Sequence, residues 1–115
     1  MSVSNNELLQ VLRLARECLA LPENDFSWSS WQDADAAICE IDGLIVIVEM
    51  GKLPRRENIS ILFAPSGPIQ EVSISSGWAD EFLTLAEKAD EVLERAYARR
   101  WFDWLMRIFC TDREM

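Results

Sequence analysis

The sequence predicts an α+β domain with the order helix, helix, β-hairpin, helix, the helices packed on one face of a short antiparallel sheet. Three observations predict it. Apolar residues recur at helical spacing in two stretches before Met50. Ile59, Ile61 and Phe63 alternate with Ser60 and Leu62, and Val72 and Ile74 with Glu71, Ser73 and Ser75, on either side of a proline- and glycine-rich turn. After Gly77 helical spacing returns and continues towards the C-terminus.

The first helix is predicted over residues 4–21. Ser4 or Asn5 caps it, and Leu8, Leu9, Val11, Leu12, Ala15, Cys18 and Leu19 form a wide apolar stripe. Pro22 ends it. The following stretch, Pro22 to Ser30, is rich in turn formers but carries Phe26 and Trp28, which are expected to fold back over the core. A second helix is predicted over 30–50. Ser30 and Asp33 have the spacing of a capping box. Trp31, Ala34, Ala37, Ile38, Ile41, Leu44, Ile45 and Val48 then fill an arc of about 140 degrees on a helical wheel. The β-branched run Leu44 to Val48 competes as a buried strand. Gly51 and Pro54, placed as helix-terminating residues are, decide for helix.

Lys52 to Asn58 reads as a basic linker. The predicted hairpin pairs residues 59–63 with 69–75 across Ala64-Pro65-Ser66-Gly67-Pro68. A lone hairpin is marginal, so the helices must cover it. The last helical region is predicted over 77–109, as one helix or two. Trp78, Phe82, Leu85, Ala86, Ala89, Val92, Leu93 and Ala96 form its stripe, and Ser76 caps it. The 115 residues are read as a single domain spanning 1–115.

Charge is the strongest functional signal. The chain has 20 acids against 11 bases, a formal net charge of −9, and no histidine. Glu17, Glu23, Asp25, Asp33, Asp35, Glu40, Asp42 and Glu49 follow one another with no base between them. Such a surface repels a phosphate backbone, so no nucleic acid is expected as partner. Without imidazole there is no Ser-His-Asp or Cys-His arrangement and no histidine metal ligand. The acid spacings match no calcium loop or helix-borne di-metal motif. The expectation is a non-enzyme with no cofactor and no metal.

Cys18, Cys39 and Cys110 are odd in number and widely spaced, which predicts reduced thiols rather than a disulfide framework. Cys110, near the C-terminus, is expected to oxidise first. The first ten residues lack the pattern of a signal peptide, and the longest apolar run, Leu44 to Val48, is far short of a membrane span. A soluble cytoplasmic protein is expected.

Asn24 to Trp31, NDFSWSSW, and Leu62 to Trp78, LFAPSGPIQEVSISSGW, are the most distinctive text. In these segments, and over residues 5 to 95, the chain resembles a family of small uncharacterised bacterial proteins. The resemblance implies no activity. The Arg- and Trp-rich end beyond Ala96 looks like an addition to it.

Three functions follow as expectations. The first is an acidic interaction protein that neutralises a basic partner, as an immunity protein masks a toxin. It uses Asp33, Asp35, Glu40 and Asp42, with Trp28 and Trp31 as aromatic anchors. The second is a self-associating module, a homodimer being the simplest form. It uses Arg99, Arg100, Trp101, Trp104 and Ile108 of the aromatic and basic C-terminal segment. The third is a small-ligand binder or enzyme built around residues 66–78, which requires a deep polar pocket beside Gln70, Ser75 and Trp78.

Overall fold

Five helices in chain order make up the computed structural model: α1 Val3–Leu19, α2 Ala34–Glu49, α3 Arg56–Phe63, α4 Pro68–Ser76 and α5 Ala79–Glu114. It describes the backbone of residues 2–114, and the side chains of these apart from 99–104, 107 and 109–114. The described residues contain no strand, so the architecture is all-helical and the expected α+β class is incorrect.

Both segments read as strands are helices, and the reason is visible in their burial. In α3 the inward residues are Ile59, Leu62 and Phe63; in α4 they are Ile69, Val72 and Ser73. That is three- and four-residue spacing, one helix face each. Ile61 and Ile74 supplied the apparent alternation, yet both face outward, each 63% exposed. Ser73, fully buried, donates its hydroxyl hydrogen to the Gln70 carbonyl at 2.7 Å. Pro68 occupies the first turn of α4, where its missing N–H leaves no intrahelical bond unmade.

The predicted helices shift at their ends. Ser2, not Ser4 or Asn5, caps α1 by accepting from the Asn5 N–H at 3.1 Å. Asp33 caps α2 by accepting from the Ala36 N–H at 2.9 Å, so Ser30 to Gln32 lie in the loop and the expected Ser30 capping box does not form. Leu44 to Val48 are helical, as Gly51 and Pro54 indicated. At that end the Gly51 N–H bonds the Val48 carbonyl at 2.9 Å and the Lys52 N–H bonds Ile47 at 3.2 Å, a Schellman closure with Gly51 at φ 82. Gly77 (φ 88) ends α4 likewise, the Trp78 N–H returning to the Ser73 carbonyl at 2.9 Å. Ser76 therefore does not cap α5; its hydroxyl accepts from the Asp25 N–H at 2.9 Å.

α1 is the central element, packing against α2 on one side and α5 on the other, with α3 and α4 against α5 and α4 touching α1. Buried side chains of all five helices join in one cluster. Among the described residues no buried polar side-chain atom lacks a partner. α5 spans roughly 54 Å at 1.5 Å per residue, which accounts for the molecule's longest dimension of 60 Å. No helix among the described residues is long and apolar enough to cross a membrane.

The thiols differ in setting. Cys39 is exposed, while Cys18 is partly buried, and burial first, then the charges of Glu17 and Glu81, push its thiol above the usual range. Because the thiolate is the nucleophile, a disulfide reagent at mildly alkaline pH is expected to label Cys39 well before Cys18. Mass mapping of partially labelled protein checks this order. Cys110, expected to oxidise first, lies outside the described residues.

Candidate functional site

Among the described residues most bases lie in ion pairs, several of them between helices. Arg13 and Arg16 of α1 reach α2, Arg13 to Glu49 at 2.8 Å and Arg16 to Asp42 at 2.5 and 3.3 Å. On the other flank Lys88 and Arg95 of α5 both approach Glu7 of α1. Arg55 lies 3.5 Å from Glu57. Of the 20 acids, Asp103, Asp112 and Glu114 lie beyond Ala98, as do Arg99, Arg100, Arg107 and Arg113 of the 11 bases, leaving 17 acids and 7 bases before it. Among the described residues only Lys52 and Arg56 of those bases make no ion pair.

The acids chosen from the sequence are divided by this arrangement. Asp42 is bound by Arg16. Asp33 is occupied in capping α2. Asp35 and Glu40 are exposed and meet no cation among the described residues. Helical geometry gathers a denser group on α5, which sequence reasoning passed over. Asp80, Glu87, Asp90, Glu91 and Glu94 fall within an arc of roughly 100 degrees opposite the buried stripe, and all five are exposed. None pairs with a cation among the described residues, because Lys88 and Arg95 turn towards Glu7. The signal was present in the spacing: 87, 91 and 94 share a face by the same rule that placed Phe82 and Ala89 inside.

Asp42 gives a pH test of this wiring. The hydrogen bond from Arg16 holds its carboxyl below the ordinary value of 3.8, against a smaller opposing effect of burial. A carboxylate with a lowered folded-state pKa stabilises the fold above its unfolded value, and that contribution disappears as pH falls through the lowered one. The urea midpoint of the native chain is therefore expected to exceed that of Asp42→Asn at neutral pH, and the gap to close in acid below about pH 4.

The aromatic residues also part company. Trp31 is buried, 7% exposed, its backbone N–H donating to the Ser29 hydroxyl at 3.2 Å. Phe26 packs against the core as expected of a loop aromatic. Trp28 does not: it is 73% exposed. The loop around it is fixed. Asp25 accepts from both the N–H and the hydroxyl of Ser27, and Ser29 donates to the Phe26 carbonyl at 2.9 Å. The Asp25 carboxyl is lowered by these bonds, the Ser27 hydroxyl first. Asn24 accepts from the Trp78 indole N–H at 2.9 Å and donates to the Cys18 carbonyl at 2.7 Å. Trp78 is buried in the core.

Trp28 borders an open cleft of about 590 Å³ lined with Ser66, Gln70, Glu71, Ile74 and Ser75. Ser66 has φ 63, a left-handed conformation uncommon for serine, and its N–H donates to the Gln70 side-chain oxygen. The cleft includes Gln70 and Ser75, but it is open and mostly apolar, and Trp78 is not part of it. Of the self-association residues, the side chains of Arg99, Arg100, Trp101 and Trp104 lie outside the described residues; Ile108 is 41% exposed. No three potential ligand side chains gather as a metal site among the described residues.

Compared with known proteins, the chain matches no family model, no curated protein and no solved structure. The two segments singled out as the most distinctive text nevertheless meet in space. Asn24 bonds Trp78, Asp25 bonds Ser76, and Trp28 stands over the Ser66 to Ser75 cleft.

Proposed function

We propose that this protein is a non-enzymatic, acidic binding module of the cytoplasm that neutralises a basic partner protein, in the manner of an immunity protein masking a toxin. The observation that carries this reading is the α5 ridge of Asp80, Glu87, Asp90, Glu91 and Glu94, exposed and without a cation among the described residues. Like charges three or four residues apart on a helix repel one another. A cationic surface laid over the ridge relieves that repulsion and is steered to it from a distance. Asp35 and Glu40 extend the acidic surface on α2. Resemblance to the small bacterial proteins of unknown activity is retained as part of this proposal and adds no chemistry to it.

A pull-down from the native lysate tests it, first at low and then at moderate salt. The expected result is a basic protein captured stoichiometrically, released by salt, and not captured by the triple variant Glu87→Gln, Glu91→Gln, Glu94→Gln. Capture that resists salt, or that the triple variant retains in full, contradicts the reading.

Self-association is kept as a second reading because α5 carries Met106 and Ile108 exposed, 43% and 41%, near its far end. Removing residues 99–115 tests it. Truncation there spares Tyr97, whose hydroxyl donates to the Pro54 carbonyl. An oligomer that becomes a monomer supports this reading; an unchanged mass rejects it.

A further inference from the structure

We propose that the cleft beneath Trp28 receives an arginine side chain of the basic partner, the guanidinium lying on the indole face with Glu71 as its counter-charge. The proposal rests on the basic-partner reading and names where one partner side chain sits.

Four observations support an arginine as occupant. Trp28 is the most exposed aromatic among the described residues, at 73%, and its loop is tied at Asp25 and Ser29 rather than free to collapse. Tryptophan offers the best π-face for a cation, and the planar guanidinium stacks on it more readily than an ammonium does. Among the described residues Glu71 is the only charged one lining the cleft, so no described cation compensates its field there. Ile74, 63% exposed, gives the aliphatic stem of the arginine an apolar wall. Gln70 and Ser75 supply oxygens able to accept from the guanidinium N–H groups.

The groove between α2 and α3, lined by Glu40, Gly43, Leu44, Ile47, Asn58 and Ile61, is of similar size. It has one carboxylate but no aromatic face, and fits no particular cation.

The test uses the full-length chain labelled with nitrogen-15 and an acetylated, amidated tetra-arginine peptide. Tetra-citrulline, which keeps the shape and loses the charge, is the comparison. The Trp28 indole N–H resonance is assigned with Trp28→Phe; at such exposure neither this change nor Trp28→Ala is expected to disturb the fold, which circular dichroism checks. The expected result is that tetra-arginine shifts the Trp28 indole and the Glu71 and Ser75 amides while tetra-citrulline does not. Trp28→Ala and Glu71→Gln are each expected to weaken the tetra-arginine effect about three- to tenfold. Equal shifts with tetra-citrulline overturn the assignment of a cation. Shifts confined to α5 overturn the cleft and leave the basic-partner reading standing. No shift at any residue overturns the proposal, whereas the basic-partner reading is decided by the lysate experiment.

Discussion

Leu12→Ala lowers the free energy of unfolding by about 2–5 kcal/mol, the range for a leucine truncated in a closed core. Leu12 has no exposed surface and sits midway along α1, the helix that packs against α2, α4 and α5. A void there cannot be filled by moving one neighbour without disturbing another. Domains of this kind retain about 5–15 kcal/mol in total, so the loss corresponds to a fall in melting temperature of roughly 10–20 °C. Leu14 makes the control. It lies on the same helix but is 49% exposed, and Leu14→Ala is expected to change stability by less than about 0.5 kcal/mol. Thermal or urea unfolding of the two variants measures both. Equal effects would mean that α1 is not the central element.

Gly67→Ala is the second large effect. Gly67 closes the turn between α3 and α4, its N–H bonding the Ala64 carbonyl at 2.9 Å. A methyl group on Gly67 would stand 2.7 Å from the Ile61 carbonyl oxygen and 2.9 Å from that of Ala64. Both obstacles are backbone, so relief requires the end of α3 to move against its buried Leu62 and Phe63. Overpacking of this kind costs about 1–3 kcal/mol. Gly43→Ala has the opposite sign. Nothing lies within 4 Å of its added methyl, and it sits inside α2. Alanine there is expected to stabilise by about 0.5–1 kcal/mol, since glycine is the poorer helix former. Urea midpoints of the two variants, falling on opposite sides of the native value, check the pair.

The helix patterns of α1, α2 and the first part of α5 were legible because their apolar residues keep the helical period over four turns or more. α2 was identified despite its β-branched run, because the residues that stop a helix followed at the right distance. The hairpin was misread for a physical reason. α3 and α4 have only 8 and 9 residues, so one misplaced apolar residue decides the apparent period. Ile61 and Ile74 are those residues, both 63% exposed. Ile74 lines the cleft beneath Trp28, and Ile61 lines the groove beside α2. Sequence patterns are expected to mislead at sites kept for something other than folding. Asp33, Asp35, Glu40 and Asp42 were chosen for the absence of bases nearby in sequence. Arg16, adjacent to that run but excluded from it, returns in space to neutralise Asp42. The α5 ridge escaped notice because Lys88 and Arg95 interrupt it in sequence, although both turn aside to Glu7.

The most direct test of the acidic-module account is the salt dependence of binding between the purified protein and the basic protein it captures. Titration calorimetry across a range of sodium chloride concentrations is needed for the native chain and for Glu87→Gln, Glu91→Gln, Glu94→Gln. The account predicts an affinity that falls steeply with salt for the native chain. For the triple variant it predicts a weaker affinity and a shallower slope. Superimposable slopes and affinities for the two proteins would contradict it.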